Sequence, residues 1–98
     1  MDVLLIPEAV LDYESLDERP RDLVKQKIDE LKKNPNLGEA LEDKHTMDLR
    51  GYNKIYVAQK TLRIVYRIFN DTIEIWGIGK RHNFEIYQNL WKRILDRN

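Results

Sequence analysis

An α+β domain, with a small antiparallel-rich sheet packed against helices in the order β-α-α-β-β-β-α, is what the sequence predicts. Three features carry it: a short apolar run closed by Pro7, helical periodicity up to Asn34-Pro35, and three strand-like runs on short connections before a final amphipathic stretch. At 98 residues the chain is expected to be one domain, 1–98, large enough for a single core.

Val3-Leu4-Leu5-Ile6 reads as the first strand, because proline cannot continue a ladder. Pro7 suits a first helical position and Glu8 a first turn, and Ala9, Val10, Tyr13 and Leu16 recur at near-helical spacing. Pro20 then opens a second helix with Leu23, Val24, Ile28 and Leu31 on one stripe. Lys32 and Lys33 oppose the negative end of its dipole and Asn34-Pro35 stops it. Residues 36–48 hold no sustained period and read as a loop. Strands are expected at Leu49 to Ala58, Leu62 to Phe69 and Thr72 to Ile78, joined by Gln59-Lys60-Thr61 and Asn70-Asp71 into an antiparallel meander. From Asn83, a candidate cap, to Asp96, the residues Phe84, Tyr87, Leu90, Trp91 and Ile94 mark a last helix.

Composition narrows the function. With 42% hydrophobic and 35% charged residues the chain is a soluble globular type, and no apolar run approaches the roughly 20 residues of a membrane span. The N-terminus lacks the pattern of a signal peptide, so a cytoplasmic, reducing location without membrane contact is expected. Without cysteine there is no thiolate nucleophile or cysteine zinc site, and two histidines alone make a weak case for metal. The neutral total hides a split: residues 1–43 carry 6 Lys/Arg and 12 Asp/Glu, residues 44–98 carry 11 and 5. Such a division suits a basic face that attracts phosphates, or simple scatter over a folded surface.

Strand alternation puts Arg63 and Arg67 on the face opposite residues 62, 64, 66 and 68 and sets Lys54 with Tyr56, so Lys54, Tyr56, Arg63, Arg67 and Arg81 can share one polar surface. One face of an antiparallel sheet is also often solvated for solubility alone. Trp76, Phe84, Tyr87, Leu90 and Trp91 could stack bases, although their spacing favours core for Phe84, Leu90 and Trp91. Glu8, Asp12, Glu14, Asp17 and Glu18 read as a solvated helix face rather than a catalytic carboxylate pair. Gly77 and Gly79 lack the rest of a dinucleotide loop and suit a bulge or close backbone approach.

Leu49-Arg50-Gly51-Tyr52-Asn53-Lys54-Ile55-Tyr56-Val57, Leu62-Arg63-Ile64-Val65-Tyr66-Arg67-Ile68, Gly79-Lys80-Arg81 and Glu85-Ile86-Tyr87 together resemble the RelE/ParE toxin superfamily. The resemblance spans nearly the whole chain and implies a RelE-like fold and a toxin of a type II toxin–antitoxin pair. RelE-like members cleave mRNA in the ribosomal A site by attack of the ribose 2′-hydroxyl on its own phosphate, and ParE-like members inhibit DNA gyrase. By similarity Lys54 is the first lysine of the strand motif, Arg63 the arginine on the scissile phosphate, Arg81 the second arginine and Tyr87 the tyrosine of the last helix. These four are the implied catalytic set. Guanidinium groups suit phosphate and transition-state charge, Tyr87 suits base stacking or proton transfer, and Lys54 suits charge stabilisation with a share in proton transfer. Tyr56, Arg67, Lys80 and His82 are implied RNA contacts. Two features depart from the pattern: Tyr56 stands where a second lysine is expected, and the net charge is zero. His82, with an ordinary pKa of roughly 6.5, suits acid–base exchange or sits incidentally beside a turn. The resemblance implies a cognate antitoxin, ribosome and mRNA as partners, no cofactor and no metal. DNA gyrase is the partner under the ParE-like alternative, and a degenerate toxin that binds only its antitoxin is a third reading.

Overall fold

The computed structural model describes residues 1–43, 46–80, 82 and 84–97. Among these residues five strands and three helices follow the order β1 (Asp2–Leu5), α1 (Pro7–Glu14), α2 (Glu18–Lys33), a short 3-10 turn (Pro35–Leu37), β2 (Glu39–Ala40), β3 (Asn53–Val57), β4 (Leu62–Phe69), β5 (Thr72–Lys80) and α3 (Glu85–Arg97). The architecture is the expected α+β sandwich with a central meander. The sheet order is β1-β5-β4-β3-β2, with β1 parallel to β5 and every other pair antiparallel.

Local chemistry explains most boundaries. Pro7 opens α1 where its missing N–H needs no partner, and the Ser15 hydroxyl donates to the Asp12 carbonyl at 2.8 Å where the helix ends. The second helix begins at Glu18, two residues ahead of the expected Pro20. Proline is tolerated there because the first-turn N–H groups have no intrahelical acceptor. Residues 36–48 are not wholly loop: Glu39 and Ala40 pair with Lys54 and Asn53 as an edge strand too short to show a period. Gly38 lets that edge approach, since a Cβ there would lie 2.7 Å from the Lys54 carbonyl oxygen and against the Tyr66 hydroxyl. Tyr66 donates to the Pro35 carbonyl at 3.1 Å and accepts from the Gly38 N–H at 3.0 Å, which ties β4 to the end of the helical hairpin. Asn83, the expected cap of α3, lies outside the described residues.

The two sheet faces are distinct. Ile55, Ile64 and Ile78 align across β3, β4 and β5, and Val57 with Leu62, on the side packed by Val24, Ile28 and Leu31 of α2. On the other face Tyr56, Arg63 and Gly79 are in register, and α3 lies over part of it: a Cβ at Gly79 would have ordinary contact with Ile86, and one at Gly77 would come within 3.0 Å of Arg93 Nη1. Val65 pairs with Gly77 and Tyr66 with Ile75, so Trp76 is the extra residue of a bulge. The glycine reading holds at Gly77, which sits in that bulge under α3. β1 stops at Leu5, opposite Ile75, leaving the edge of β5 unpaired beyond it. Side chains complete that edge: Asp12 Oδ2 accepts from the Ile78 N–H at 3.1 Å, and Arg93 Nη1 donates to the Trp76 carbonyl at 2.9 Å.

The same two residues correct the reading of the acidic residues as a solvated face. Asp12 takes Arg93 in a two-pronged bridge at 2.7 and 3.1 Å, and Glu8 takes Arg97 at 2.6 and 2.8 Å. Carboxylates of the front half and arginines of the back half thus meet in ion pairs, because α3 returns beside α1. The split by sequence halves is not a clean split into opposite surfaces. Phe84 is also not core: it precedes α3 in the left-handed region (φ 59°) and is 50% exposed, whereas Leu90 is buried and Trp91 partly so.

Candidate functional site

The face carrying Tyr56, Arg63 and Gly79 holds a compact cluster of cations and phenols. Arg63 projects from β4 and is only 7% exposed. Its guanidinium carbon lies 4.9 Å from the Tyr56 ring centre and 5.3 Å from the Tyr87 ring centre, and Nη1 donates to the Tyr87 hydroxyl. Two aromatic faces offset part of the cost of burying that charge, about 2 kcal/mol or more for a desolvated cation on a ring. Its Nε is buried with no hydrogen-bond partner among the described residues. A buried donor in that state favours an acceptor brought from outside.

Lys54, on the adjacent strand, donates from Nζ to the Tyr56 hydroxyl at 3.3 Å. A third cation, not singled out from the sequence, belongs here: Lys60 Nζ lies 5.6 Å from the Tyr56 ring centre. It is held there by a hairpin turn in which Ala58, Gln59 and Lys60 all have positive φ (52°, 56° and 71°), stabilised by Thr61, which donates to the Ala58 carbonyl from both N–H and hydroxyl. Consecutive non-glycine residues in that region cost on the order of 1 kcal/mol each. The one sequence signal for it was a basic residue at the tip of the turn four positions beyond Tyr56. The hydrogen bond from Lys54 pulls the Tyr56 phenol below its ordinary pKa of 10.0, burial opposes this, and the charges of Arg63 and Lys54 add to the lowering.

The expected site residues therefore divide. Lys54, Tyr56, Arg63 and Tyr87 come together. Tyr87 is 1% exposed, and Arg63 lies over its ring, so it serves as a support for Arg63; stacking on a base would require it to be uncovered. Arg67 shares the face but is engaged elsewhere. Its Nε donates to Glu74, whose carboxylate also accepts from Trp76 Nε1 at 3.1 Å, and its guanidinium packs on the rings of Phe69, Trp76 and Tyr52 at 4.5 to 5.9 Å. Lys80 is in register with Leu62, in the row of the face packed by α2 rather than that of Arg63, and is exposed at the end of β5. His82 is exposed in the turn before α3, its carbonyl accepting from the Glu85 N–H. Arg81 lies outside the described residues.

A groove of 540 Å³ between α2 and the β3–β4 turn, lined by Arg19, Leu23, Lys27, Glu30 and Val57, opens on the other side of the sheet, away from this cluster. Among the described residues no three of the His, Cys, Asp or Glu side chains are grouped to hold a metal ion, and no helix is long and apolar enough to cross a membrane.

No family model matches the sequence, and no curated protein is significantly similar to it. Solved structures do share the fold. The isolated RelE toxin of E. coli is 21% identical, with 95% of this chain and 97% of that one covered at a TM-score of 0.69. The toxin in the YoeB–YefM toxin–antitoxin complex from Staphylococcus aureus is 20% identical over 84% of this chain and 97% of that one, TM-score 0.59. An archaeal RelE–RelB complex from Pyrococcus horikoshii gives 16% identity over 84% and 96%, TM-score 0.62. The chain therefore has the RelE-like fold.

Proposed function

We propose that this chain is a toxin of a type II toxin–antitoxin pair that inhibits translation by cutting mRNA in the ribosomal A site, and that a cognate antitoxin restrains it by covering the cationic face. The observation that carries the reading is the cluster of Lys54, Tyr56, Arg63 and Tyr87 on one face of a RelE-like sheet, with Lys60 at its rim. The RelE and YoeB structures of the same fold, two of them in complexes with antitoxins, support the partner.

The reaction class follows from what the cluster supplies. Attack of a ribose 2′-hydroxyl on the adjacent phosphate concentrates negative charge on a five-coordinate phosphorus, and fixed cations stabilise it most where water is excluded. Arg63 supplies a buried, permanently charged guanidinium oriented by Tyr87; Lys54 and Lys60 supply charge at the rim; and Arg81 is assigned by resemblance to phosphate and transition-state charge. Zero total charge does not oppose the reading, because RNA responds to the field within a Debye length of about 8 Å.

That Tyr56 lies across Arg63 also favours a second reading, a degenerate toxin that keeps its antitoxin and no longer cuts. Inducing the protein without antitoxin, mapping mRNA ends on ribosomes and scoring gyrase supercoiling in parallel separates the possibilities. Codon-phased cuts that vanish in Arg81→Ala are the expected result. Intact mRNA with inhibited supercoiling would transfer the assignment to a gyrase inhibitor, and harmless expression to the degenerate toxin.

A further inference from the structure

We propose that the Tyr56 hydroxyl is the group that takes the proton from the attacking ribose 2′-hydroxyl, an assignment that rests on the ribonuclease reading above. Within the described cluster it is the group best placed to accept a proton. Lys54, Lys60 and Arg63 are the cations around it, and the Tyr87 hydroxyl is buried and already accepts from Arg63. Tyr56 is half-buried at the outer side of Arg63, so its oxygen is the part of the cluster that an RNA strand meets together with the Lys54 ammonium.

The described charged groups facing Tyr56 bear on this role. Lys54 on its own strand donates to the phenolic oxygen at 3.3 Å; Lys60 from the turn and Arg63 from β4 face the ring at 5.6 and 4.9 Å. From β2, Glu39, in register with Lys54, acts in the opposite sense. The cations prevail, and the phenol is more acidic than free tyrosine. A phenolate held by an ammonium is a competent base, and its population rises with pH until the phenol has titrated.

In the step itself, the phenolate oxygen removes the 2′-hydroxyl proton while the 2′-oxygen forms its bond to phosphorus. The bond from phosphorus to the 5′-oxygen breaks, and the departing oxygen takes a proton from water. The products are a 2′,3′-cyclic phosphate and a 5′-hydroxyl, with tyrosine returned to its phenolate by loss of the proton to solvent. No oxidant, reductant or metal enters the balance. The arrangement also gives a physical reason for a tyrosine at a position where the resemblance expects lysine: the hydroxyl can transfer the proton, and Lys60 restores the positive charge that the replacement removes.

Two measurements on the full chain test the assignment. In a titration followed by NMR of isotope-labelled tyrosine, Tyr56 is expected to titrate below the free amino acid, and Lys54→Met to move it upward; titration at or above about 10 overturns the proposal. In single-turnover cleavage of a short mRNA on programmed ribosomes, Tyr56→Phe is expected to lose about 100-fold or more and to flatten the rise of rate with pH. A ring-fluorinated tyrosine at position 56, which keeps the shape and lowers the phenol pKa, should shift that rise to lower pH. Wild-type rate and pH profile in Tyr56→Phe would overturn the proposal and leave the ribonuclease reading standing, and absence of cleavage by the wild type would overturn both.

Discussion

Asp12→Ala is expected to destabilise the protein by about 3 kcal/mol, a value bracketed by known ion-pair effects. The carboxylate accepts two hydrogen bonds from Arg93 and one from the Ile78 N–H, and the side chains are 22% and 15% exposed. Exposed pairs contribute about 0 to 1 kcal/mol, whereas removing one partner of a buried pair costs about 3 to 5. This pair lies toward the buried end, and the substitution also strands a backbone donor on the unpaired edge of β5. For a domain of this size about 4 to 8 °C accompanies each kcal/mol, so a fall in midpoint of about 12 to 24 °C is expected by circular dichroism, with a matching shift in urea midpoint. Asp12→Asn retains an acceptor for Ile78 and should lose less. In a double-mutant cycle with Arg93→Met, most of the loss should appear as coupling. A loss below about 1 kcal/mol, or additive single effects, would refute the idea that this bridge fastens α1 and α3 to β5.

Other outcomes follow from the same structure. Arg97 holds the Glu8 carboxyl down to about 2 from an ordinary 4.5, so its stabilising contribution is intact above about pH 4.5 and is lost as pH falls toward 2; Glu8→Gln should flatten that part of the acid unfolding curve, and salt should weaken the effect in the wild type. Gly38→Ala should cost about 1 to 3 kcal/mol through its clash with the Lys54 carbonyl, while Gly79→Ala, whose added carbon would have only ordinary contact with Ile86 at 3.6 Å, should leave the urea midpoint nearly unchanged. Tyr87→Phe removes the acceptor of Arg63 in a buried setting and should cost about 1 to 3 kcal/mol by denaturant titration, with a wild-type m-value.

What the sequence disclosed depended on how local the cause was. Alternation along 62–69 correctly separated Arg63 from Ile64, and a stripe of Val24, Ile28 and Leu31 correctly marked the buried side of α2, because both patterns repeat within one element. The bridge from Asp12 to Arg93 spans 81 positions and exists only because α3 returns beside α1, so no spacing rule announces it. Alternation also placed Arg63 and Arg67 on one face without revealing their different neighbours: Arg63 lies between Tyr56 and Tyr87, Arg67 between Glu74 and a group of rings. Phe84 fitted the helical stripe by spacing and left it because its backbone is left-handed before the helix begins. Lys60 read only as part of the connection Gln59-Lys60-Thr61, because its place over Tyr56 depends on three left-handed residues that fold the turn back.

The central assignment, a 2′-hydroxyl attack assisted by the buried Arg63 charge, is tested most directly by offering the purified protein ribosomes programmed with an mRNA carrying one 2′-deoxy nucleotide at the otherwise cleaved linkage. The unmodified message should be cut to a cyclic phosphate and a 5′-hydroxyl, the deoxy message should survive, and a folded Arg63→Ala should cut the former at least tenfold more slowly, the equivalent of about 1.4 kcal/mol in the barrier. Equal cutting of both messages, or an undiminished rate in Arg63→Ala, would contradict it.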